Sequence, residues 1–232
     1  AHSFPTRRSS DLDVIINEPS NPWITGVSNL FTRDYFEIGR RRLRPDGIFC
    51  TWAQMYEFAP RRIKSIYRTF ADVFPHVYGF SAEALSSDTF LIGANRPLKL
   101  DIRRLRRAFA IARVRRELAR AKVDSPHELV ALTLLGPGEI HAFAMGAPVN
   151  TDDNALVEFR APIDLYNHRR YDYYVSRVYG QTWMYGRLEP FIAGYRSSED
   201  YAGLVHALLV NGKFREANHF FERVGADAGA RS

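Results

Sequence analysis

The hydrophobic positions of the N-terminal third follow first a strand period and then a helix period. Residues 13–17 (DVIIN) form a short run of mostly β-branched apolar residues, which is typical of a strand buried on both faces of a parallel sheet. Prolines and turn formers fill 18–25, and apolar residues then recur at helical spacing over 29–43 until the RPDG sequence of 44–47 stops them. The pattern predicts one strand–loop–helix unit.

The same unit repeats in outline further along the chain. Residues 48–52 predict a second apolar strand, 60–74 a second amphipathic helix, and 77–80 and 89–94 two short strands. This alternation predicts an α/β fold, the C-terminal half of a Rossmann-like, parallel, doubly wound sheet with a closing hairpin at its edge. Ligands of such sheets bind at the carboxyl ends of the strands, so we expect the site in the loops after the first and second strands.

The remainder of the chain is predicted to be mainly helical. The predicted elements are a basic helix over 100–123, helices over 126–135 and 137–145, a short strand over 156–159, aromatic-rich helix after Tyr166, and a helical hairpin over 200–224 that turns at Asn211-Gly212. The hairpin resembles one tetratricopeptide repeat. About three such repeats are needed for stability, so we interpret it as a docking hairpin or as the start of an array.

These patterns divide the chain into three parts. Residues 1–12 read like a translated sequencing adapter, and the first genuine residue is then expected at Asp13, inside a strand. Residues 13–165 are expected to form the partial α/β domain and residues 166–232 a helical extension. Since Asp13 would begin in the middle of a sheet, we expect an upstream part to be missing.

Composition excludes several classes of protein. The chain is 46% hydrophobic and 25% charged, which is ordinary for a folded globular domain and argues against disorder. Cys50 is the only cysteine, so no internal disulfide can form, and a cytoplasmic location is expected. No apolar run reaches the roughly 20 residues needed to cross a bilayer.

Charge adds one further feature. The formal net charge is +6, and basic residues are concentrated over 103–122. We interpret this run as a solvated helix face and expect no nucleic acid partner, with an anionic partner such as a membrane surface as the alternative. Among the histidines, His141, His206 and His219 show no metal-ligand spacing, so no metal is assigned.

The strand–loop sequence DVIINEPSNPW of 13–23 is similar to the motif of the spermidine synthase (polyamine aminopropyltransferase) family, in which a strand ends in Asp-Ser-Ser-Asp-Pro. The similarity continues through LFTRDYF (30–36) and LRPDG (43–47) and reaches Gln54. With the NTDD sequence of 150–153, it looks most like a bacterial branch often fused to membrane-transporter-like segments. The resemblance implies a transferase that moves an aminopropyl group from decarboxylated S-adenosylmethionine, the co-substrate, to a polyamine without a metal. It also leaves anchoring of a longer parent at the inner membrane open.

The resemblance also implies roles for individual residues. Glu18 takes the place of the family's first aspartate, the base, and Asn21 falls on the second, which helps to hold the polyamine. Gln54 matches a glutamine that lines the same cleft. Trp23 and Tyr56 are candidate walls of this cleft.

Three further assignments are weaker matches to the family pattern. Asp152 and Asp153 are predicted to make a second contact with the amine. Glu18 and Pro19 are predicted to contact the co-substrate, whereas the main glycine-rich site is missing, because the sequence contains no G-x-G-x-x-G turn. Glu57 lies one place later than the family's corresponding acid.

Two other functions stay open at this point. Glutamate at 18 and asparagine at 21 depart from the family pattern, which favours a non-catalytic binding or regulatory domain on the same fold. Its helical tail would then recruit a protein partner or a second copy. The third candidate is an S-adenosylmethionine-dependent methyltransferase. We expect the 232-residue chain alone to be inactive, because the glycine-rich site is missing.

Overall fold

The computed structural model describes residues 12–83, 86–167 and 188–226, which form the α/β fold predicted from the sequence. The strands are β1 (Leu12–Asn17), β2 (Leu43–Gln54), β3 (His76–Ser81), β4 (Asp88–Ala94), β5 (Leu100–Asp101), β6 (Thr133–Leu135) and β7 (Ile192–Ala193). The helices are α1 (Arg33–Arg42), α2 (Pro60–Val73), α3 (Ile102–Ala110), α4 (Ala112–Arg120), α5 (Pro126–Ala131), α6 (Pro137–Phe143), α7 (Leu156–Tyr166), α8 (Ser198–Val210) and α9 (Phe214–Ala226), with a 3-10 helix at Val27–Phe31. Most of the predicted aromatic-rich segment after Tyr166 lies outside the described residues.

The main sheet has five strands in the order β1-β2-β4-β3-β6. β1 and β2 pair in parallel across α1, as predicted, whereas the other three pairs are antiparallel. A short loop joins β3 to β4 and makes them the predicted hairpin. The hairpin does not close the edge, because β6 pairs with the outer side of β3. The sheet is therefore parallel over one pair only.

The turn sequence at 44–47 does not separate helix from strand as predicted. β2 already begins at Leu43, and its pairing with β1 jumps from Leu12↔Leu43 to Val14↔Ile48. The four residues in between form an irregularity in the pair, so turn-forming residues are tolerated inside a strand.

Three other predicted elements are wrong in type or extent. The basic segment over 100–123 is a two-residue strand followed by α3 and α4, which are separated by the extended residue Ile111. The end of the predicted helix over 126–135 is strand β6, since its buried residues pair with β3. Residues 156–159 begin helix α7, where the Asn154 side chain accepts a hydrogen bond from the Leu156 amide at 3.1 Å.

Apolar cores lie on both faces of the sheet, as expected for a doubly wound fold. One face packs against α1 and α2 through an aromatic cluster that includes Phe36, Phe49 and Phe70. On the other face, Tyr78 of β3 packs with residues of α5, α8 and α9. α8 and α9 form the predicted helical hairpin; its relation to tetratricopeptide repeats remains a prediction.

The face of the sheet opposite α1 and α2 is uncovered near β1. Alternate side chains of this edge strand, Leu12, Val14 and Ile16, are 43%, 51% and 74% exposed. No strand among the described residues pairs with the outer edge of β1.

Within the described residues, no helix has the length and apolar character needed to cross a membrane.

Candidate functional site

The carboxyl ends of β1 and β2 lie side by side and are tied together by Asn17. Asn17 pairs with Thr51, and its Nδ2 donates to Thr51 Oγ1 at 2.9 Å and to the Leu30 carbonyl at 3.3 Å. The Tyr35 hydroxyl donates to Asn17 Oδ1 at 3.1 Å. Because Asn17 is buried, these bonds determine where the chain leaves the strand.

Glu18 is the next residue, and its side chain is exposed. Burial raises the pKa of the Cys50 thiol to about 11, and the negative charge of Glu18 adds to the effect. Asn17 bonds to Thr51 on one side of the strand pair, and side chains alternate along a strand, so Glu18 is directed to the other side. Cys50, Trp52 and Gln54 share that side of β2.

Gln54 ends β2 on this side and is fully buried. Its Nε2 donates to the Tyr56 carbonyl at 3.2 Å, whereas its Oε1 is buried with no hydrogen-bond partner among the described residues. Strand spacing and rise put the Cα atoms of Glu18 and Gln54 about 8 Å apart. The predicted pair thus lies on one side of the sheet, with one member exposed and the other enclosed.

Acidic residues surround Tyr56 beyond the end of β2. Burial raises the pKa of the Tyr56 phenol, and the charges of Asp88 and Glu57 raise it further. Asp88 of β4 pairs with Gln54 of β2 and accepts a hydrogen bond from Trp52 Nε1 at 3.0 Å. Glu57 has a φ of 58°, a left-handed conformation that non-glycine residues seldom adopt outside turns and sites.

The remaining loop residues have mainly structural contacts. Pro19 is buried, and the Asn21 carbonyl accepts from the Ile24 amide at 3.0 Å in a turn. Trp23 is half-buried and packs edge-on against Phe58, with ring centroids 5.9 Å apart. Trp23 therefore contacts the main core, and its predicted contact with substrate stays a prediction.

Asp152 and Asp153 lie in an exposed turn beside the start of α1. The Asp152 amide donates to Asp34 Oδ2 at 2.9 Å, while Thr151 and Asn154 close the turn through mutual hydrogen bonds of 3.1 Å. Across the described part of the chain, neither aspartate side chain bonds to Glu18 or Gln54. The structure does not bring them into direct contact with the loop after β1.

Two residues of this region were not predicted from the sequence. Asn17 carries a weak signal, since it is a polar residue that ends an apolar strand. Asp88 carries none, because only the antiparallel register places it opposite Gln54. Over the three described ranges, no group of three or more His, Cys, Asp or Glu residues is arranged to hold a metal ion.

Residues 2–84 match the family model of the spermine/spermidine synthase domain. Over this segment the chain is similar to the spermine/spermidine synthase family. The segment contains β1, β2 and both loops of the candidate site, but it ends before Asp152 and Asp153. The family match therefore covers Glu18 and Gln54 and not the acidic pair.

Two further comparisons do not extend the family match. A solved structure described as a probable spermidine synthase from Corynebacterium glutamicum is 22% identical to this chain, with a TM-score of 0.41. The match covers 60% of this chain and 47% of that structure, so the chain spans about half of its length. A search of curated proteins finds no significant match.

Proposed function

We propose that this chain is part of an aminopropyltransferase that moves an aminopropyl group from decarboxylated S-adenosylmethionine to a polyamine. The observation that carries the proposal is the position of Glu18, at the end of β1 inside the family-matched segment and on the side of the sheet that Gln54 occupies. A carboxylate at the carboxyl end of a strand suits a substrate that is itself a polycation.

The reaction requires the protein to remove a proton from the amine and to align the amine with the co-substrate. An ammonium group of the polyamine must lose a proton before its nitrogen can attack the aminopropyl carbon next to the sulfonium. The new C–N bond then forms as the C–S bond breaks, and the electron pair returns to sulfur to give a neutral thioether. We assign the proton acceptor to Glu18.

Binding and alignment are assigned to the residues around Glu18. Asn21 and the buried, unpaired Oε1 of Gln54 are acceptors suited to an ammonium group. Trp23 and Tyr56 supply apolar surface for the carbon chain between amines. Pro19, with Glu18, would contact the co-substrate. Asp152 and Asp153 are proposed as a more distant second contact for the amine.

The activity would belong to a longer protein, with this chain alone inactive. Glu18 and Asn21 differ from the aspartates of the family motif, which keeps a non-catalytic binding domain as the competing function. The two functions make different predictions for the same assay.

The test is aminopropyl transfer to 1,4-diaminobutane by a full-length family member that carries the same EPSNPW motif. Replacing the glutamate equivalent to Glu18 by glutamine should lower kcat by roughly 100- to 10,000-fold with the amine still bound, because a general base contributes about that much.

The matched control replaces Glu37, an exposed glutamate of α1 on the opposite side of the sheet, and should leave turnover unchanged. Unaltered turnover after the change at Glu18 would refute its role. Amine binding without any transfer by the unsubstituted protein would favour the non-catalytic domain.

A further inference from the structure

Helices α3 and α4 carry a dense row of exposed arginines. The arginine ridge, as we name it, consists of Arg103, Arg104, Arg106, Arg107, Arg113, Arg115, Arg116 and Arg120. On each helix the arginines occupy one side, and the opposite side carries apolar residues such as Leu105 and Leu118. The ridge therefore faces solvent along both helices.

Acidic side chains compensate only part of this charge. The ion pairs on the ridge are Asp101 with Arg103 at 3.0 Å, Asp200 with Arg106 at 2.6 Å, and Glu117 with Arg120 at 2.8 Å and with Arg116 at 3.9 Å. Arg104, Arg107, Arg113 and Arg115 have no acidic partner among the described residues. Half of the ridge is thus uncompensated positive charge.

This arrangement costs helix stability. Arg103 and Arg107 are four residues apart on α3, as are Arg116 and Arg120 on α4, and like charges at this spacing repel each other. α4 has nine residues and buries none of them fully, so packing offers little compensation. An external anionic surface would offset the repulsion.

The chemistry of the ridge favours phosphate groups. Guanidinium groups bind phosphate oxygens through paired hydrogen bonds, and every basic residue of α3 and α4 is an arginine. Phe109, the aromatic residue of these helices, is buried at 6% exposure and offers no platform on which a nucleic acid base could stack.

An apolar residue at the centre of the ridge distinguishes between the two remaining candidate partners, a nucleic acid backbone and a membrane surface. Ile111 joins α3 to α4 and is 56% exposed. Against a nucleic acid backbone this side chain would face phosphates, whereas at a bilayer surface it can enter the interface between headgroups and acyl chains.

We propose that the arginine ridge is a docking surface for an anionic phospholipid membrane, with the four uncompensated arginines on headgroup phosphates and Ile111 in the interface. The proposal is independent of the aminopropyl-transfer site, since it uses no residue of that site. It would hold the protein at a membrane surface by a contact that does not span the bilayer.

The experiment is sedimentation of the 232-residue chain with vesicles made of equal parts phosphatidylcholine and phosphatidylserine. The chain should bind these vesicles, bind pure phosphatidylcholine vesicles far less, and lose affinity as salt is added. Replacing Arg104, Arg107, Arg113 and Arg115 together by glutamine should weaken binding by at least roughly 100-fold, since each basic residue near an anionic surface contributes about fivefold.

A matched variant removes the same charge elsewhere. Glutamine at the exposed positions Arg61, Arg96, Lys99 and Arg160 should change binding far less than the ridge variant does. Ile111→Ser should weaken binding by about threefold and leave its salt dependence intact. Circular dichroism identical to that of the unsubstituted chain shows that a variant is folded.

Three results would overturn the proposal. The first is equal binding of the chain to neutral and anionic vesicles. The second is an equal loss of vesicle binding in the ridge variant and in the matched variant. The third is binding of the ridge to duplex DNA without binding to vesicles. Loss of binding in the ridge variant alone would support it.

Discussion

The charge of Glu18 acts on Cys50 across the β1–β2 pair, which makes the single thiol a reporter of the candidate site. Burial is the larger cause of the raised pKa of Cys50, about 11, and Glu18 is the smaller. Removing a negative charge stabilises the thiolate, so the sign of the effect is fixed: the pKa of Cys50 must fall when Glu18 is neutralised.

We expect Glu18→Gln to raise the rate of Cys50 alkylation at pH 9 by roughly two- to tenfold, because only the thiolate reacts. The pH dependence of iodoacetamide modification measures this directly, and Cys50 is the only thiol in the chain. Glu37→Gln removes the same charge on the other side of the sheet and should leave the rate as it was. Equal effects of the two substitutions would mean that Glu18 does not face Cys50.

The sequence predicts the place of Glu18 directly after a strand, which β1 confirms, but it does not predict the contacts of the residues around it. An acid that follows a β-branched run and precedes two prolines must lie at a strand end, whatever the fold. Asp88 and the enclosed Oε1 of Gln54 depend on which strand pairs with β2 and in what register. The local pattern contains neither piece of information.

Among the elements, the turn that begins at Asn150 connects helices α1, α2 and α7 with the 3-10 helix. Asn150 is buried; its Nδ2 donates to the Phe31 carbonyl at 3.1 Å, and its Oδ1 accepts from the Val157 amide at 3.0 Å. Its backbone amide donates to Thr69 Oγ1 at 2.8 Å, and its carbonyl accepts from the Arg33 amide at 2.8 Å. The first residue of the NTDD sequence thus has a structural role that is separate from any role of Asp152 and Asp153.

We expect Asn150→Ala to lower the free energy of unfolding by about 2–4 kcal/mol, since it leaves a buried carbonyl and a buried amide without partners. For a chain of this size, that loss lowers Tm by about 5–15 °C in a thermal melt. Asn29→Ala, at an exposed position in the same region, should shift stability by less than about 0.5 kcal/mol. A comparable loss at both positions would show that the hydrogen bonds of Asn150 are not what stabilises the turn.

The elements of the first β-α-β part were predictable, and several later ones were not. β2, β3, β4 and α2 lie where the sequence predicts them, although β2 begins at Leu43, before its predicted start. β6 has three residues and becomes a strand because β3 offers it an edge. α7 begins where the side chains of Asn154 and Asn150 accept hydrogen bonds from the amides of Leu156 and Val157, which outweighs the strand propensity of the residues that follow.

On the scale of the whole molecule, the described chain has two apolar cores and one open side. Helices cover the sheet near β3 on both faces, but near β1 the apolar side chains of Val14 and Ile16 remain exposed, and Glu18 lies at the end of the same side. The sequence pattern predicts the α/β class and the β1–α1–β2 unit. It does not predict the strand order, because the order depends on contacts between residues far apart in sequence.

The central claim is that a single amine site lies where β1 and β2 end. Titration of the isotope-labelled chain with 1,4-diaminobutane, followed by NMR at each backbone amide and at the Gln54 side-chain amide, tests it most directly. We predict saturable shifts that are concentrated at Glu18, Gln54 and Tyr56 and that disappear in Glu18→Gln. Shifts spread evenly over exposed acids such as Glu37, or shifts that survive Glu18→Gln, would contradict the claim.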